Sequence, residues 1–295
     1  MKIIVGPASK ELGTRVAQLL NVEPVSVFSK TFPDGESYVR LEGSVESENV
    51  VIVQTTSPPQ DNRLIQLALI ADAAKRNGAK KVTAVVPYLA YARQDKVFLQ
   101  GEAISIEAIA RMLKAAGIDS LITVNVHQEK ALEKFPFPAK NLSAIPLLAE
   151  YFTKEKGVKE AFAIAPDKGA VYIAEQARKV LGGECGYLEK HRDRYTGQVS
   201  VEKGEFNVKG KTAIIFDDII STGGTIVAAA KILHELGAGR VYAACVHPLL
   251  VGDAEKRIRE AGVEEIVGTD SVPSLVSKVS LAPLIAKELK ELLSG

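Results

Sequence analysis

Residues 213–225 read Ala-Ile-Ile-Phe-Asp-Asp-Ile-Ile-Ser-Thr-Gly-Gly-Thr. The four residues at the start predict a buried strand, since uninterrupted apolar runs are typical of parallel sheets covered on both faces. The alanine-rich apolar run that follows Thr225 predicts a helix. A strand, a short turn and a helix in this order are the repeating unit of an α/β fold.

The glycine turn of this stretch has the composition of an anion-binding loop. It consists of Ser221, Thr222, Gly223, Gly224 and Thr225. Glycines let the backbone approach a phosphate closely, and the N–H groups at a helix start carry a positive partial charge. The turn therefore predicts a phosphate site.

Two acids, Asp217 and Asp218, precede this turn and are called the acid pair below. Carboxylates cannot bind a phosphate directly, but they accept hydrogen bonds from sugar hydroxyls or hold a metal ion through water. An ordinary capped strand-to-helix turn would need neither the second acid nor both glycines. The combination predicts a phosphorylated sugar, such as a pentose phosphate, as the ligand.

The composition excludes several classes of function. The 37 basic and 36 acidic residues nearly cancel, so we expect neither nucleic acid nor a membrane as a partner. Without a signal-peptide core or a bilayer-spanning apolar run, the sequence predicts a cytoplasmic protein. Cys185 and Cys245 are too far apart for a CxxC motif, which argues against a disulfide scaffold or a cysteine zinc site.

Short apolar runs alternate with segments of helical period along the whole chain, as expected for parallel sheets with crossover helices. The predicted strands are 2–5, 50–54, 81–86, 121–126, 161–165, 212–216, 240–246 and 265–267. A chain of 295 residues exceeds the usual size of a single core, so two domains are expected.

The two halves of the chain resemble each other. Segments 73–84 and 230–243 both read as a helix, a Gly-Ala break and a buried strand, and 116–119 and 261–264 repeat the next helix-to-strand turn. A Gly-Ala pair is a common way for a helix to end, but two pairs of similar segments in the same order favour duplication of one domain. We predict two tandem α/β domains, 1–143 and 144–295, each a mainly parallel sheet flanked by helices.

The glycine turn occurs only in the second half, whereas in the first half residues 87–96 follow the strand instead. Four further loops carry polar side chains where α/β sheets bind ligands, after strands. Each one alone reads as an ordinary turn, a charged loop, a structural histidine or a capping acid. These loops are 32–36 (Phe-Pro-Asp-Gly-Glu), 91–96 (Tyr-Ala-Arg-Gln-Asp-Lys), 125–128 (Asn-Val-His-Gln) and 166–169 (Pro-Asp-Lys-Gly).

Together with the glycine turn, these loops resemble one family, the ribose-phosphate pyrophosphokinases or phosphoribosyl pyrophosphate synthetases, and in particular its archaeal-like members. The match runs over nearly the whole chain, and the string at 91–96 is far more specific than a glycine pattern. The resemblance implies two phosphoribosyltransferase-type domains, Mg²⁺ as the cofactor, and a homo-oligomer based on dimers. It also implies transfer of the diphosphoryl group of ATP to ribose 5-phosphate.

The resemblance also assigns roles to individual residues. ATP would be bound by Phe32, which stacks on adenine, and by Asp34, Gly35, Glu36, Arg93 and Gln94. Magnesium would be held by His127 and Asp167. Ribose 5-phosphate would be bound by Arg192, Asp217, Asp218 and the turn from Ser221 to Thr225. Lys190 and Arg192 would lie on a catalytic loop, where two cations stabilise the negative charge that spreads over the phosphate oxygens during transfer.

Two other functions stay open at this point. A phosphoribosyltransferase would use the same glycine turn, but it does not account for the loops of the first half. A catalytically silent regulatory subunit would not need His127, Asp167, Lys190 and Arg192, all of which are present.

The chain also departs from the family pattern. Many members have an aspartate where this chain has Asn125, and acids where it has Pro136 and Lys140, so fewer metal-binding carboxylates are expected. Residues 97–102 read Val-Phe-Leu-Gln-Gly-Glu and lack the basic residues that in many members are linked to regulation by phosphate and ADP.

We therefore expect inorganic phosphate to activate this protein weakly or not at all, because the segment at 97–102 offers no cation to bind it. Titration of phosphate against the steady-state rate at fixed substrate and magnesium concentrations checks this expectation. Strong activation would contradict it.

Overall fold

The computed structural model describes the backbone of residues 1–192, 199–202 and 207–294, and the side chains of residues 1–188 and 207–292. The chain forms two compact units. The first contains Met1–Ser143 together with Ser280–Gly295, and the second contains Ala144–Val279. None of the helices among these residues combines the length and the apolar character needed to cross a bilayer.

The first unit is a seven-stranded sheet with helices against it. Its strands are β1 (Lys2–Val5), β2 (Pro24–Thr31), β3 (Ser37–Leu41), β4 (Asn49–Val53), β5 (Lys81–Val86), β6 (Ser120–Val124) and β7 (Ala139–Leu142). Its helices are α1 (Lys10–Leu20), α2 (Gln60–Arg76), α3 (Ser105–Ala115) and α8 (Ala282–Ser294), with a 3₁₀ helix at Glu129–Lys134. The strand order is β3-β2-β1-β4-β5-β6-β7, and the β2–β3 pair is antiparallel while the others are parallel.

The C-terminal segment belongs to the first unit, although the sequence-based division placed it in the second domain. Helix α8 packs against α1. The ammonium of Lys140 donates to both carboxylate oxygens of Glu288, each 2.7 Å away, and Glu288 is only 6% exposed. The start of the second unit at Ala144 coincides with the sequence-based boundary.

The second unit contains a six-stranded, wholly parallel sheet of order β15-β14-β13-β12-β8-β9. These strands are β8 (Phe162–Ala165), β9 (Cys185–Tyr187), β12 (Thr212–Ile220), β13 (Arg240–Pro248), β14 (Ile266–Thr269) and β15 (Ser277–Val279). The helices are α4 (Ile145–Lys154), α5 (Val171–Leu181), α6 (Gly224–Glu235) and α7 (Ala254–Glu260). A separate antiparallel pair consists of β10 (Glu189–Arg192) and β11 (Val199–Glu202).

The predicted fold class is confirmed, since both units are mainly parallel sheets flanked by helices. Each predicted strand has a counterpart whose ends differ by a few residues. The largest difference is in β12, which continues through the acid pair to Ile220, whereas the sequence placed its end at Phe216. The extension is paired with β13, because Asp217 lies opposite Cys245 and Ile219 opposite His247.

The repeated Gly-Ala turns have the same conformation in both units. Gly78 (φ 85°) and Gly237 (φ 82°) adopt the left-handed region that ends a helix. The N–H of the next residue bonds back into the helix in each case, from Ala79 to Ala74 at 3.1 Å and from Ala238 to Leu233 at 2.9 Å. The structural unit β4-α2-β5 therefore corresponds to β12-α6-β13.

This correspondence corrects one sequence-based comparison. The first-unit counterpart of the glycine turn is the segment 54–59 between β4 and α2, whereas residues 87–96 follow the next strand, β5. Segment 54–59 is bonded to the turn after β1: the Ala8 N–H donates to Gln54 Oε1 at 3.0 Å, and the Thr55 N–H donates to Ser9 Oγ at 2.8 Å. The sequence comparison missed this because segment 54–59 contains no glycine.

Candidate active site

Three of the predicted features, Asp167, the acid pair and the glycine turn, lie at one place in the second unit. The strand order reverses between β8 and β12, which are adjacent, and crevices of this kind are the usual ligand sites of open α/β sheets. Asp167 follows β8, the acid pair lies in the last part of β12, and the glycine turn follows β12. The structure therefore brings these residues to the same edge of the sheet.

The acid pair is held by backbone donors at the end of β12. The Asp218 N–H donates to Asp217 Oδ1 at 2.9 Å, and the Ile219 N–H donates to Asp218 Oδ1 at 2.8 Å. Burial raises the pKa of Asp217 well above its usual range, and the neighbouring carboxylates of Asp218 and Asp167 raise it further. A group that donates hydrogen bonds, such as a sugar hydroxyl, or a cation would offset this accumulation of negative charge.

The raised pKa of Asp217 predicts a pH-dependent stability. The folded state binds the proton of Asp217 more tightly than the unfolded chain does. Protonated Asp217 therefore contributes fully to the free energy of unfolding below its unfolded pKa of about 3.9, and this contribution is lost as the pH rises through its folded pKa. We expect Asp217→Asn to unfold at a higher temperature than the unsubstituted protein at about pH 8, and the difference to vanish toward about pH 4. Thermal unfolding without ligands or divalent cations measures this; the same difference at both pH values would contradict it.

The glycine turn leaves the start of α6 open to a ligand. Gly223, the residue before the helix, has φ 77° and provides no side-chain cap, and α6 then continues for 12 residues. A Cβ at Gly223 would lie 2.8 Å from Ile258 Cδ1, so a side chain there is excluded both by backbone conformation and by the contact with α7.

The loop after β13 supports this turn, a feature that sequence reasoning missed. The Leu250 N–H donates to the Ile220 carbonyl and the Val251 N–H donates to the Ser221 carbonyl, both at 3.0 Å. These bonds come from backbone groups of apolar residues, so no side-chain pattern could have revealed them.

In the first unit, the predicted ATP residues Phe32, Asp34, Gly35 and Glu36 form the tip of the β2–β3 hairpin. The Phe32 N–H donates to the Glu36 carbonyl at 2.8 Å, and Gly35, at φ 98°, donates to the Phe32 carbonyl at 2.9 Å. The Phe32 ring is 37% exposed, and Lys30 Nζ lies 4.5 Å from its centroid. An accessible ring beside a cation can stack on a base, and Lys30 is a residue that the sequence analysis missed.

The loop after β5 presents Arg93, which is exposed, and Gln94, whose Nε2 donates to Glu102 Oε2 at 3.1 Å. The same oxygen of Glu102 accepts the Phe98 N–H at 2.7 Å and the Leu99 N–H at 2.9 Å. These bonds lower the pKa of Glu102, with the backbone donors contributing most. Glu102 therefore orders the loop, which the sequence did not reveal.

His127 is exposed and follows β6, the neighbour of β5. Because β2, β5 and β6 run in the same direction, the hairpin tip, the loop of Arg93 and Gln94, and His127 all leave the carboxyl edge of the first sheet. Asn125, where many family members have an acid, is buried at φ 39°, and its N–H donates to the Leu142 carbonyl at 2.8 Å.

The two residues predicted to bind magnesium belong to different units: His127 lies in the first and Asp167 in the second. Within the described part of the chain, no three His, Cys, Asp or Glu side chains form a metal-binding group. The oxygen donors of Asp167 and the acid pair are nevertheless of the chemical type that magnesium prefers.

The predicted catalytic residues lie on the antiparallel pair of the second unit. The backbone of Lys190 is opposite Val201, and that of Arg192 is opposite Val199. The side chains of Lys190 and Arg192 lie outside the described residues, so their predicted roles stay predictions.

Comparisons with known proteins identify the family. Residues 1–117 match the model of the N-terminal domain of ribose phosphate pyrophosphokinase, and residues 201–294 match that of the phosphoribosyl synthetase-associated domain. The chain is 44% identical to the ribose-phosphate pyrophosphokinase of Methanothermobacter thermautotrophicus over 96% of this chain and 98% of the relative. It is 43% identical to that of Saccharolobus solfataricus, over 92% of this chain and 93% of the relative.

A solved structure agrees with this result. The crystal structure of phosphoribosylpyrophosphate synthetase from Mycobacterium smegmatis superposes with a TM-score of 0.88 at 32% identity, covering 99% of this chain and 98% of that chain. The family resemblance predicted from the loops is thereby confirmed: the chain belongs to the ribose-phosphate pyrophosphokinase family.

Proposed function

We propose that the chain transfers the diphosphoryl group of Mg-ATP to the C1 hydroxyl of ribose 5-phosphate, giving 5-phosphoribosyl 1-diphosphate and AMP. The observation that carries the proposal is the arrangement at the end of β12, where the acid pair is followed by an uncapped, left-handed glycine turn in a member of this family. This arrangement matches a ligand with a phosphate at one end and hydroxyls beyond it.

Ribose 5-phosphate binds in the second unit in this proposal. Its phosphate accepts hydrogen bonds from the backbone N–H groups of the glycine turn, whose position at the start of α6 adds the favourable helix dipole. Asp217 and Asp218 accept from the ring hydroxyls, and Arg192 adds a cation. Binding at both ends of the sugar fixes the direction in which the C1 hydroxyl points, and such orientation lowers the barrier by removing rotational freedom before reaction.

ATP binds at the carboxyl edge of the first sheet. The exposed Phe32 ring stacks on adenine, Asp34, Gly35 and Glu36 contact the nucleoside, and the exposed Arg93 contacts the phosphates. For Gln94 to contact ATP, its side-chain amide must exchange Glu102 for the nucleotide, since it donates to that carboxylate in the absence of ligand.

His127 in the first unit and Asp167 in the second are the residues proposed to hold magnesium, which would neutralise charge on the phosphate oxygens. Lys190 and Arg192 stabilise the negative charge that develops during transfer, while the chain excludes water that would otherwise hydrolyse ATP. No protein nucleophile takes part, because the C1 hydroxyl itself attacks the β-phosphorus.

Identification of the nucleotide product tests the proposal. The protein is mixed with ATP, magnesium and ribose 5-phosphate, and the nucleotides are separated by ion-exchange chromatography. AMP formed only in the presence of ribose 5-phosphate is the expected result. ADP would indicate an ordinary kinase, and no turnover would favour a phosphoribosyltransferase or a silent subunit.

We also propose a homo-oligomer based on dimers. The β2–β3 hairpin leaves Phe28 and Tyr38 exposed in the single chain, which is the type of aromatic surface that assembly covers. Sedimentation velocity is expected to give a mass of two chains or an even multiple; a monomer at micromolar concentration would contradict this.

A further inference from the structure

Tyr91 has an unusual backbone conformation for a bulky residue. Its φ is 67°, in the left-handed region that aromatic side chains rarely adopt, and the residue is 38% exposed. Burial of the ring therefore does not explain the conformation. Residues held in such a conformation cost free energy and persist only when their surroundings fix them.

The chain is fixed on both sides of Tyr91. On one side, Thr56 Oγ1 donates to the Tyr88 carbonyl at 2.7 Å and accepts the Ala90 N–H at 2.8 Å, and these groups are buried. On the other side, the Gln94 N–H donates to the Tyr91 carbonyl at 3.3 Å. Tyr91 is thus the residue at which the chain bends toward Arg93 and Gln94, with the next residue, Ala92, buried in the core.

The hydroxyl of Tyr91 donates to Asp61 Oδ1, in the first turn of α2. This bond raises the pKa of Tyr91 above its usual value. Asp61 and Tyr91 are 30 positions apart, so the bond ties the loop after β5 to a neighbouring helix.

The second unit shows what this loop looks like without such a bond. Leu250, the corresponding residue, follows the first residue of β13 by the same ten positions that separate Tyr91 from the first residue of β5. It too is left-handed, at φ 43°. Its side chain cannot donate a hydrogen bond, and the loop is held by the backbone bond from Leu250 to Ile220 instead. A side-chain tether is therefore an addition specific to the loop of the first unit.

We propose that Tyr91 and Asp61 are a positioning pair for the nucleotide: their hydrogen bond holds the bend from which Arg93 and Gln94 reach ATP. This inference rests on the proposed function, in which those two residues contact the nucleotide. Tyr91 and Asp61 themselves contact no substrate. They reduce the number of loop conformations that ATP would otherwise have to order on binding.

The variants Tyr91→Phe and Asp61→Ala, and the double variant, test the pair. Each single change removes the charge-assisted bond and is expected to raise KM for ATP about tenfold. The double variant is expected to show no further rise, because both changes remove the same interaction. KM for ribose 5-phosphate and kcat at saturating ATP are expected to stay near their original values. Asp72→Ala, which removes an exposed ion pair with Arg76 on the same helix, is the matched control and is expected to leave both KM values unchanged.

Tyr91→Gly separates the loss of the Tyr91–Asp61 hydrogen bond from backbone strain at residue 91, since glycine adopts this φ without strain. We expect it to raise KM for ATP at least as much as Tyr91→Phe. Normal KM for ATP in Tyr91→Gly or in Tyr91→Phe would overturn the proposal, as would equal rises for both substrates, which would indicate general damage. If the unsubstituted protein forms no AMP, the proposed function fails; if it forms AMP and the variants keep its KM for ATP, only the positioning pair fails.

Discussion

Lys190→Ala is expected to lower kcat by about two orders of magnitude or more, because removal of one group that stabilises charge in a transition state typically costs this much. Diphosphoryl transfer has little covalent chemistry for the protein to perform, so cations and positioning account for most of the acceleration. Affinity for ribose 5-phosphate should remain nearly intact, since the proposed sugar site consists of Arg192, the acid pair and the glycine turn and does not include Lys190.

Steady-state kinetics with both substrates varied, together with calorimetric titration of ribose 5-phosphate, measure the two quantities separately. Lys179→Ala is the matched control, because Lys179 is an exposed lysine on α5 of the same unit. Its kcat should be unchanged. Unchanged turnover in Lys190→Ala would remove this residue from the mechanism, and an equal loss in both variants would show that only the net charge matters.

Gly223→Ala is expected to raise KM for ribose 5-phosphate more than about tenfold, because the turn must distort to accept a Cβ and its N–H groups then no longer point at one phosphate. The new Cβ would lie 2.8 Å from Ile258 Cδ1 and would have to keep φ near 77°. The left-handed conformation alone costs about 1–2 kcal/mol for a residue with a side chain. KM for ATP should change little.

Gly182→Ala is the control that separates an effect on phosphate binding from the loss of stability caused by a side chain at a left-handed position. Gly182 ends α5 at φ 78°, and a Cβ there would meet no atom within 4 Å. We expect Gly182→Ala to lower the unfolding temperature without a change in either KM. If Gly223→Ala behaved in the same way, the glycine turn would not be the phosphate site.

The sequence predicted the parallel strands well because their apolar runs are continuous, as at Ile214 and Ile215. It did not predict the antiparallel hairpin, since β2 alternates between buried and exposed residues and its neighbours are polar. It ended β12 at Phe216 because two carboxylates seldom lie inside a strand, yet backbone pairing with β13 continues beyond them. Such pairing depends on a strand elsewhere in the chain and is invisible in the local pattern.

The conformation of the candidate site was predictable where it depends on neighbouring residues, as in the strand, turn and helix around the acid pair and the glycine turn. The supporting contacts were not, because they join residues far apart in sequence: Tyr91 with Asp61, and Leu250 with Ile220. The raised pKa of Asp217 could not be predicted from the sequence either, since it depends on burial and on Asp167, 50 positions earlier. The family resemblance named residues, but only the fold shows what holds them in place.

The central claim is that the sugar hydroxyl attacks the β-phosphorus of ATP, and the fate of the oxygen that bridges the α- and β-phosphorus tests it most directly. The protein is given magnesium, ribose 5-phosphate and ATP labelled with ¹⁸O at that bridge, and the isotope shifts in the ³¹P NMR spectrum locate the label. We expect the label in the phosphate of AMP and none in the diphosphate of the sugar product. Label in free inorganic diphosphate, formed together with an adenylylated sugar, would show attack at the α-phosphorus, and label retained within ADP would show attack at the γ-phosphorus; either result would contradict the mechanism.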